Sequence, residues 1–178
     1  MPSVSATLIE LLTYLAPGFV VLYGIRRQAN SLERMFDAIA GPNGGSALIA
    51  LGITAMAFGL IVAAIAHLIV PWLARVTTID KSSPIHMRQL DMARLYTHPE
   101  ATIQVVQQHS RAYQSYANMA TALLLSLAIL FYNLWDKQPV DHWQFKVGFH
   151  SAISLLVLWG AVRYFKMLYR IAYALSKP

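Results

Sequence analysis

Two histidines lie within long apolar segments, where an ionisable side chain is costly and usually has a function. His67 follows Ala55, Gly59 and Ala63 at intervals of four residues, and His150 lies near the start of a later segment. A histidine in such a position can bind haem iron, carry protons or line a pore. It can also remain neutral and hydrogen-bond to a neighbouring helix, which is the favoured interpretation for both residues.

The two histidines are predicted to lie at opposite ends of a helical bundle. In a chain with four antiparallel spans, the end of the second span and the start of the fourth are on opposite sides of the membrane. One haem iron therefore cannot bind both, and we expect no cofactor. Because small residues at every fourth position let helices approach closely, His67 should face a packed interface. A proton-responsive or pore-lining role for His67 is the alternative.

Glu10 and Arg163 bound two short uncharged segments at the same predicted side of the membrane. At about 1.5 Å per residue, these segments are shorter than the roughly 30 Å of a hydrocarbon core. The two charges should approach that membrane edge and can form an ion pair, with Asn118 as a candidate third member. In the alternative, Arg163 extends to lipid phosphates and Glu10 reaches water.

Pro17 and Gly18 interrupt the first apolar segment. Proline lacks the amide proton and clashes with the preceding helical turn, so a local kink is predicted. The kink is interpreted chiefly as a packing device. A hinge, or backbone carbonyls that face a cavity, is the alternative.

Four apolar segments hold these residues, at 11–25, 47–74, 112–135 and 147–162. A helix needs about 20 apolar residues to cross a bilayer, and these runs lack the alternation of lipid-facing strands. Only 12% of the 178 residues are charged, against about 25% in soluble domains. We therefore predict an all-α integral membrane protein with four transmembrane helices, forming a single domain over residues 1–178.

Lys and Arg residues predict the orientation of the chain. They are more numerous in the second loop and at the C-terminus than in the first and third loops. By the positive-inside rule, both termini and the second loop are therefore cytoplasmic. The adjacent Arg26 and Arg27 argue against this orientation. We expect a multi-pass protein of a bacterial inner membrane.

The second loop, residues 77–116, is predicted to form a cytosolic helical hairpin. Ser83-Pro84 begins one helix, and a capping box at 97–100 begins the next, which nothing interrupts before Asp136. The apolar stripe of this long helix packs against the first hairpin helix or a second copy of the chain. In the sharper alternative it docks a cytosolic partner.

The first loop predicts a short helix along the membrane interface. Its apolar residues recur on one helical face: Leu32, Met35, Phe36 and Ile39. Such a short stripe is typical of an interfacial helix packed on its neighbours.

Four basic residues at and after the end of the fourth segment lie near one helical face, because they are spaced by three, four and seven positions. They are Arg163, Lys166, Arg170 and Lys177. Such a stripe predicts contact with anionic lipid headgroups. The net charge of +6 therefore has a membrane explanation, and nucleic acid is not an expected partner.

Motifs of enzymes and metal sites are absent from the sequence. It has no cysteine, which excludes thiolate metal sites and a cysteine nucleophile, and it has no di-iron, nucleophile-elbow or phosphate-loop motif. We expect no metal and no enzymatic activity.

The expected function is that of a pore or channel-like component coupled to a cytosolic signal or partner, as in stress or phage-defence effectors. The chain should form a homo-oligomer through Ala55, Gly59 and Ala63. The alternative is a non-conducting membrane anchor that recruits a larger complex. A haem-binding or lipid-modifying enzyme is the third hypothesis.

Overall fold

The computed structural model of the chain describes residues 4–42, 44–78, 99–135 and 143–176, and these residues form five α-helices and no strand. The helices are α1 (Val4–Ile25), α2 (Asn30–Ala38), α3 (Gly44–Val76), α4 (Glu100–Trp135) and α5 (Trp143–Ser176). A short 3-10 turn links α1 to α2. The all-α prediction is confirmed over these residues. The predicted hairpin helix near 84–96 lies outside them.

Three helices, α3, α4 and α5, are long and apolar enough to cross a membrane, whereas the apolar part of α1, Leu11–Ile25, is shorter. Their most apolar stretches are only 28%, 33% and 11% buried inside the bundle. Large apolar side chains point outward instead, among them Leu68, Trp72, Leu156 and Trp159. Exposed apolar surface on this scale is typical of a membrane protein.

α1 packs antiparallel on α3 at very short range. A Cβ atom added at Gly18 would overlap with the Ala55 carbonyl, and one added at Gly59 would overlap with the Tyr14 carbonyl. The residue numbers rise along α1 while they fall along α3, which fixes the antiparallel direction. The two backbones can be this close only because both contact positions are glycines.

The small residues of α3 are therefore used within the chain. Ala55 and Gly59 lie under α1, and Ala63 is buried on the same side of the helix. This interface is not available to a second copy, so the prediction that these three residues form the oligomer contact is corrected. The spacing of small residues predicts a close helix contact, but it cannot tell which helix makes that contact.

α4 lies parallel to α1 and antiparallel to α5. Near the middle of α1, the Thr13 hydroxyl lies 3.0 Å from that of Ser115. Just after α1, Gln28 donates a hydrogen bond of 2.7 Å to Asn133. α5 reaches the end of α3, where Lys166 donates to a backbone carbonyl. The four long helices thus form an antiparallel bundle with α1 and α5 on opposite sides of the α3–α4 pair.

α3 changes packing partners along its length. Its first half contributes Leu51 to a buried cluster with Leu22 of α1. Its second half contributes Val70 to a cluster with Tyr113 of α4 and Ala161 of α5. α3 is therefore the element that holds α1 and α5 in one bundle.

α2 is the predicted interfacial helix. Leu32, Met35 and Phe36 pack on the cluster around Leu22, while Ile39 is exposed in the turn that follows. The prediction of a short helix packed on its neighbours is confirmed, and α2 covers the end of the α1–α3 pair.

Candidate functional site

One side of α4 is polar over most of its length. Its polar residues follow one another at intervals of three, four, seven or eight positions, which a period of 3.6 residues places on one side of the helix. They are Gln104, Gln108, Arg111, Ser115, Asn118, Ser126 and Asn133. We call this set the polar stripe. Its middle part faces α1.

The centre of the polar stripe is a hydrogen bond that replaces one removed by a proline. Asn118 is 2% exposed, and its Nδ2 atom donates to the backbone carbonyl of Thr13 at 3.1 Å. In a regular helix the amide of residue 17 would donate to this carbonyl, but Pro17 has no amide proton. Asn118 therefore supplies a donor from α4 to the carbonyl that loses its helical donor at Pro17.

Pro17 and Gly18 act in packing in this conformation. α1 is continuous from Val4 to Ile25, the Pro17 side chain is fully buried, and Gly18 touches α3. The favoured interpretation of these residues agrees with this geometry. The Thr13 carbonyl faces the Asn118 side chain of α4 and not an open cavity.

Asn118 and Arg163 are not brought together. Asn118 points to α1, whereas Arg163 is exposed on the outer side of α5 with its guanidinium 5.5 Å from the centre of the Trp159 ring. Asn118 is thus not a third member of an ion-pair group. The Glu10 side chain lies outside the described residues, so its pairing with Arg163 stays a prediction.

A cavity of about 280 Å³ opens at one end of the polar stripe, between the end of α1, α4 and the start of α5. Its polar lining consists of Tyr23, Arg26, Ser126, Asn133, Lys146 and His150. We call it the α5-side cavity. His150 Nδ1 lies 2.9 Å from the Lys146 carbonyl oxygen, which can only accept, so this nitrogen carries the proton. His150 therefore bonds to its own helix rather than to a neighbouring one.

An open depression of about 500 Å³ lies on the surface of α4 at the other end of the polar stripe. Its lining among the described residues comes from α4: Gln104, Gln107, Gln108, Arg111, Ala112 and Ser115. We call it the glutamine cavity. Ser115 belongs both to this cavity and to the contact with Thr13, so the cavity reaches the α1–α4 interface.

Between the two cavities the interior is closed and only partly polar, because Ala122, which lies between Asn118 and Ser126 on the same side of α4, packs with Val21 and Val62. Asn118, Thr121 and Ala122 are almost completely buried. From Arg111 to Asn133 the helix rises about 33 Å at 1.5 Å per residue, close to the roughly 30 Å of a hydrocarbon core. The polar stripe thus has the length needed to connect the two faces of a membrane.

His67 is on the outer surface of α3, where its ring lies edge-on to Tyr113 at 6.3 Å. His67 therefore does not face a packed interface within the chain, and a packed interface with a second copy stays a prediction. Steps of four residues drift around a helix of 3.6 residues per turn, and the buried side of α3 steps by three from Ala63 to Ala66. That shorter step leaves His67 outside.

The two histidines lie far apart, as predicted. His67 contacts Tyr113, whereas His150 shares a cavity with Leu130, and these two α4 residues are about 25 Å apart along the helix axis. Among the described residues, no group of three or more His, Asp or Glu side chains could hold a metal ion.

Three of the four predicted headgroup-binding residues line one groove. Arg163, Lys166 and Arg170 lie at the edge of a depression between α5 and the end of α3. Lys177 lies outside the described residues. Sequence reasoning therefore placed three basic residues together, but it did not predict the apolar groove beside them.

Sequence reasoning missed the α1 side of the polar stripe. Thr13 was not singled out, although a proline at position 17 indicates which carbonyl loses its hydrogen bond. The helical spacing of Gln104, Gln108 and Arg111 is also visible in the sequence. Extending their spacing along α4 would have reached Ser115 and Asn118.

The chain matches no protein-family model, no curated protein and no solved structure. Any functional assignment therefore depends on the geometry of its own residues.

Proposed function

We propose that the chain is a non-enzymatic, four-span membrane protein that acts as a channel-like component, with the polar stripe as a closed pathway for small anions. The observation that carries this proposal is a largely polar side of α4 that extends from one cavity to the other, with buried polar side chains near its centre. A scaffold would fill such a centre with Leu and Phe. Here it holds the buried side chains of Asn118 and Ser126, with Ala122 between them packed on Val21 and Val62.

The charge of the two cavities favours anions. Arg26 and Lys146 line the α5-side cavity, and Arg111 lines the glutamine cavity. No carboxylate lines either cavity among the residues that the structure describes. Basic residues at the ends of a pathway attract anions and repel cations. The pathway lies within a single chain, so a homo-oligomer would have to form through the outward faces of the bundle.

The distribution of charge supports four spans. Each long helix has an uncharged stretch, at 11–25, 44–74, 112–135 and 147–162, and the helices alternate in direction. The apolar part of α1 is short, but it packs directly on α3, so a membrane that surrounds α3 would also surround this part of α1. With the excess of basic residues on the side of the second loop, both termini and the hairpin at 77–116 are cytoplasmic in a bacterial inner membrane.

Single cysteines are expected to report this topology, because the chain has no cysteine of its own. Two exposed acidic residues are predicted to lie on opposite sides of the membrane. Asp37 is near the end of α2, and Glu100 is at the start of α4. In intact cells, Asp37→Cys should react with a membrane-impermeant maleimide, whereas Ser3→Cys and Glu100→Cys should react only after permeabilisation. Labelling of Ser3→Cys and Asp37→Cys from the same side would contradict a spanning α1. The reverse pattern would contradict the orientation.

Chloride efflux from liposomes tests the pathway. Asn118→Ser shortens the side chain at the closed centre, and it should raise chloride efflux over the unmodified chain by about tenfold, equivalent to about 1.4 kcal/mol of barrier. Potassium efflux should rise much less. Adding Lys146→Glu should lower the chloride efflux again, because it reverses one charge of the α5-side cavity.

Met119→Ala is the matched control for this experiment. It removes volume at the adjacent, half-buried position of α4, which is off the polar stripe, and it should leave efflux unchanged. Equal efflux from Met119→Ala and Asn118→Ser would show leakage from loosened packing. No chloride efflux from folded Asn118→Ser protein would contradict the pathway.

A membrane anchor is the second candidate function, and the length of the helices favours it. α5 continues to Ser176, about 20 Å beyond Arg163 at 1.5 Å per residue, and α4 begins eleven positions before Arg111. These extensions offer a helical surface to a cytosolic partner. A chain that is folded and non-conducting in the efflux experiment would support this function.

A further inference from the structure

The basic groove lies on the outer surface of the bundle, between α5 and the end of α3. It has a volume of about 680 Å³, within the roughly 300–1,000 Å³ of small-molecule sites. Its floor is apolar: Leu73, Leu155, Leu158, Val162 and Ile171. Its basic edge carries Arg163, Lys166 and Arg170. The groove therefore combines a long apolar surface with a concentrated positive charge.

The three cations face one side of α5, because they are three and four residues apart. Lys166 Nζ donates to the Thr77 backbone carbonyl at 3.3 Å, which holds this ammonium at the α3 side of the groove. The Arg163 guanidinium is held over the Trp159 ring. No carboxylate lines the groove among the described residues, so its charge has no acidic partner there and suits an anionic ligand.

The polarity of the groove runs along the membrane normal. The basic edge occupies residues 163–170 of α5, and the apolar floor, apart from Ile171, extends back from there to Leu155. From Leu155 to Arg170 the helix rises about 22 Å, close to half of the roughly 40–45 Å of a bilayer with its headgroups. Trp159, exposed between the two parts, occupies the level at which tryptophan is enriched in membrane proteins.

We propose that this groove binds one anionic phospholipid, with its phosphate between Arg163, Lys166 and Arg170 and an acyl chain along Leu155 and Leu158. A free phosphate would use the basic edge but would leave the apolar floor uncovered. A zwitterionic lipid would cover the floor, but its own cationic group would face the three cations. This inference rests on the proposed membrane placement and is independent of conduction.

Native mass spectrometry of the detergent-solubilised chain tests the proposal. With phosphatidylglycerol as the probe, the first lipid molecule bound to each chain should bind more tightly than any further molecules. Phosphatidylcholine should bind more weakly than phosphatidylglycerol. The double variant Arg163→Gln/Arg170→Gln should bind phosphatidylglycerol about 30-fold more weakly, from roughly fivefold for each cation lost. Both side chains are exposed, so the variant should fold.

Two matched measurements make the result decisive. Arg34→Gln/Arg75→Gln removes the same charge outside the groove, and its lipid affinity should change by less than about twofold, because surface charge acts weakly at a distance. Leu155→Gln alters only the exposed apolar floor. It should weaken the binding of phosphatidylglycerol but not the binding of inorganic phosphate. Competition by millimolar inorganic phosphate would instead identify a phosphate site.

Equal binding of the two lipids, or equal losses in both double variants, would overturn the proposal. Because binding is measured in detergent and without ion flux, its failure would leave the proposed pathway untouched. Conversely, a non-conducting chain that still binds one anionic lipid would retain this site.

Discussion

Gly59→Ala and Gly18→Ala are each expected to destabilise the folded chain by about 3 kcal/mol, at the upper end of the usual cost of overpacking. The added methyl group would overlap with the Tyr14 carbonyl in the first variant and with the Ala55 carbonyl in the second. A backbone atom cannot rotate away as a flexible side chain can. α1 and α3 would therefore have to separate along their whole contact.

Gly52→Ala is the matched control, because it makes the same change on the same helix. A Cβ atom at Gly52 has no neighbour within 4 Å, and alanine has a better helix propensity by about 1 kcal/mol. The free energy of unfolding in a detergent titration should thus stay unchanged or rise for Gly52→Ala and fall for Gly59→Ala. Similar values for the two variants would mean that α1 does not pack on this side of α3.

The same pair of variants distinguishes an interface within the chain from one between copies. A contact between copies would respond to Gly59→Ala by a change of oligomeric mass, with the fold of each copy intact. A contact with α1 responds by loss of the fold at every protein concentration. Stability that depends strongly on concentration would restore the interface predicted from the spacing of Ala55, Gly59 and Ala63.

The sequence predicts the extent of the helices better than their contacts. α4 runs from Glu100 to Trp135, as expected from the capping box at 97–100 and from the absence of any helix-breaking residue before Asp136. The apolar run of α5 ends at residue 162, but the helix continues to Ser176, in agreement with the helical spacing predicted for Arg163, Lys166 and Arg170. A charged residue ends a hydrophobic stretch without interrupting backbone hydrogen bonds.

Contacts between helices depend on which surfaces meet, and a sequence pattern does not specify this. Ala55 and Gly59 predict a close approach equally well for α1 and for a second copy. The bond between Asn118 and Thr13 joins residues 105 positions apart, and neither side chain indicates the other. The rotation of α3 that exposes His67 depends on a single step of three residues, which is decided by packing against α4 and α5.

The bond from Asn118 to the Thr13 carbonyl is expected to depend energetically on Pro17. Asn118→Leu removes the Asn118 donor from that carbonyl, and the variant should lose about 1–3 kcal/mol of stability. In a Pro17→Ala background the amide of residue 17 can donate to Thr13 in the ordinary helical way. The same Asn118→Leu change should then cost less, by about 1 kcal/mol, the scale of polar helix contacts in membranes.

Ser154→Ala provides the control for this double-mutant cycle. Ser154 is also buried, but its hydroxyl group has no hydrogen-bond partner among the described residues, so its loss should cost little and should be additive with Pro17→Ala. Additive effects of Asn118→Leu and Pro17→Ala would show that the carbonyl does not need Asn118. A positive coupling has a further consequence for the pathway. In Pro17→Ala, Asn118 no longer has to bond to α1, so a chloride efflux that rises in this variant would identify this bond as the closure of the polar stripe.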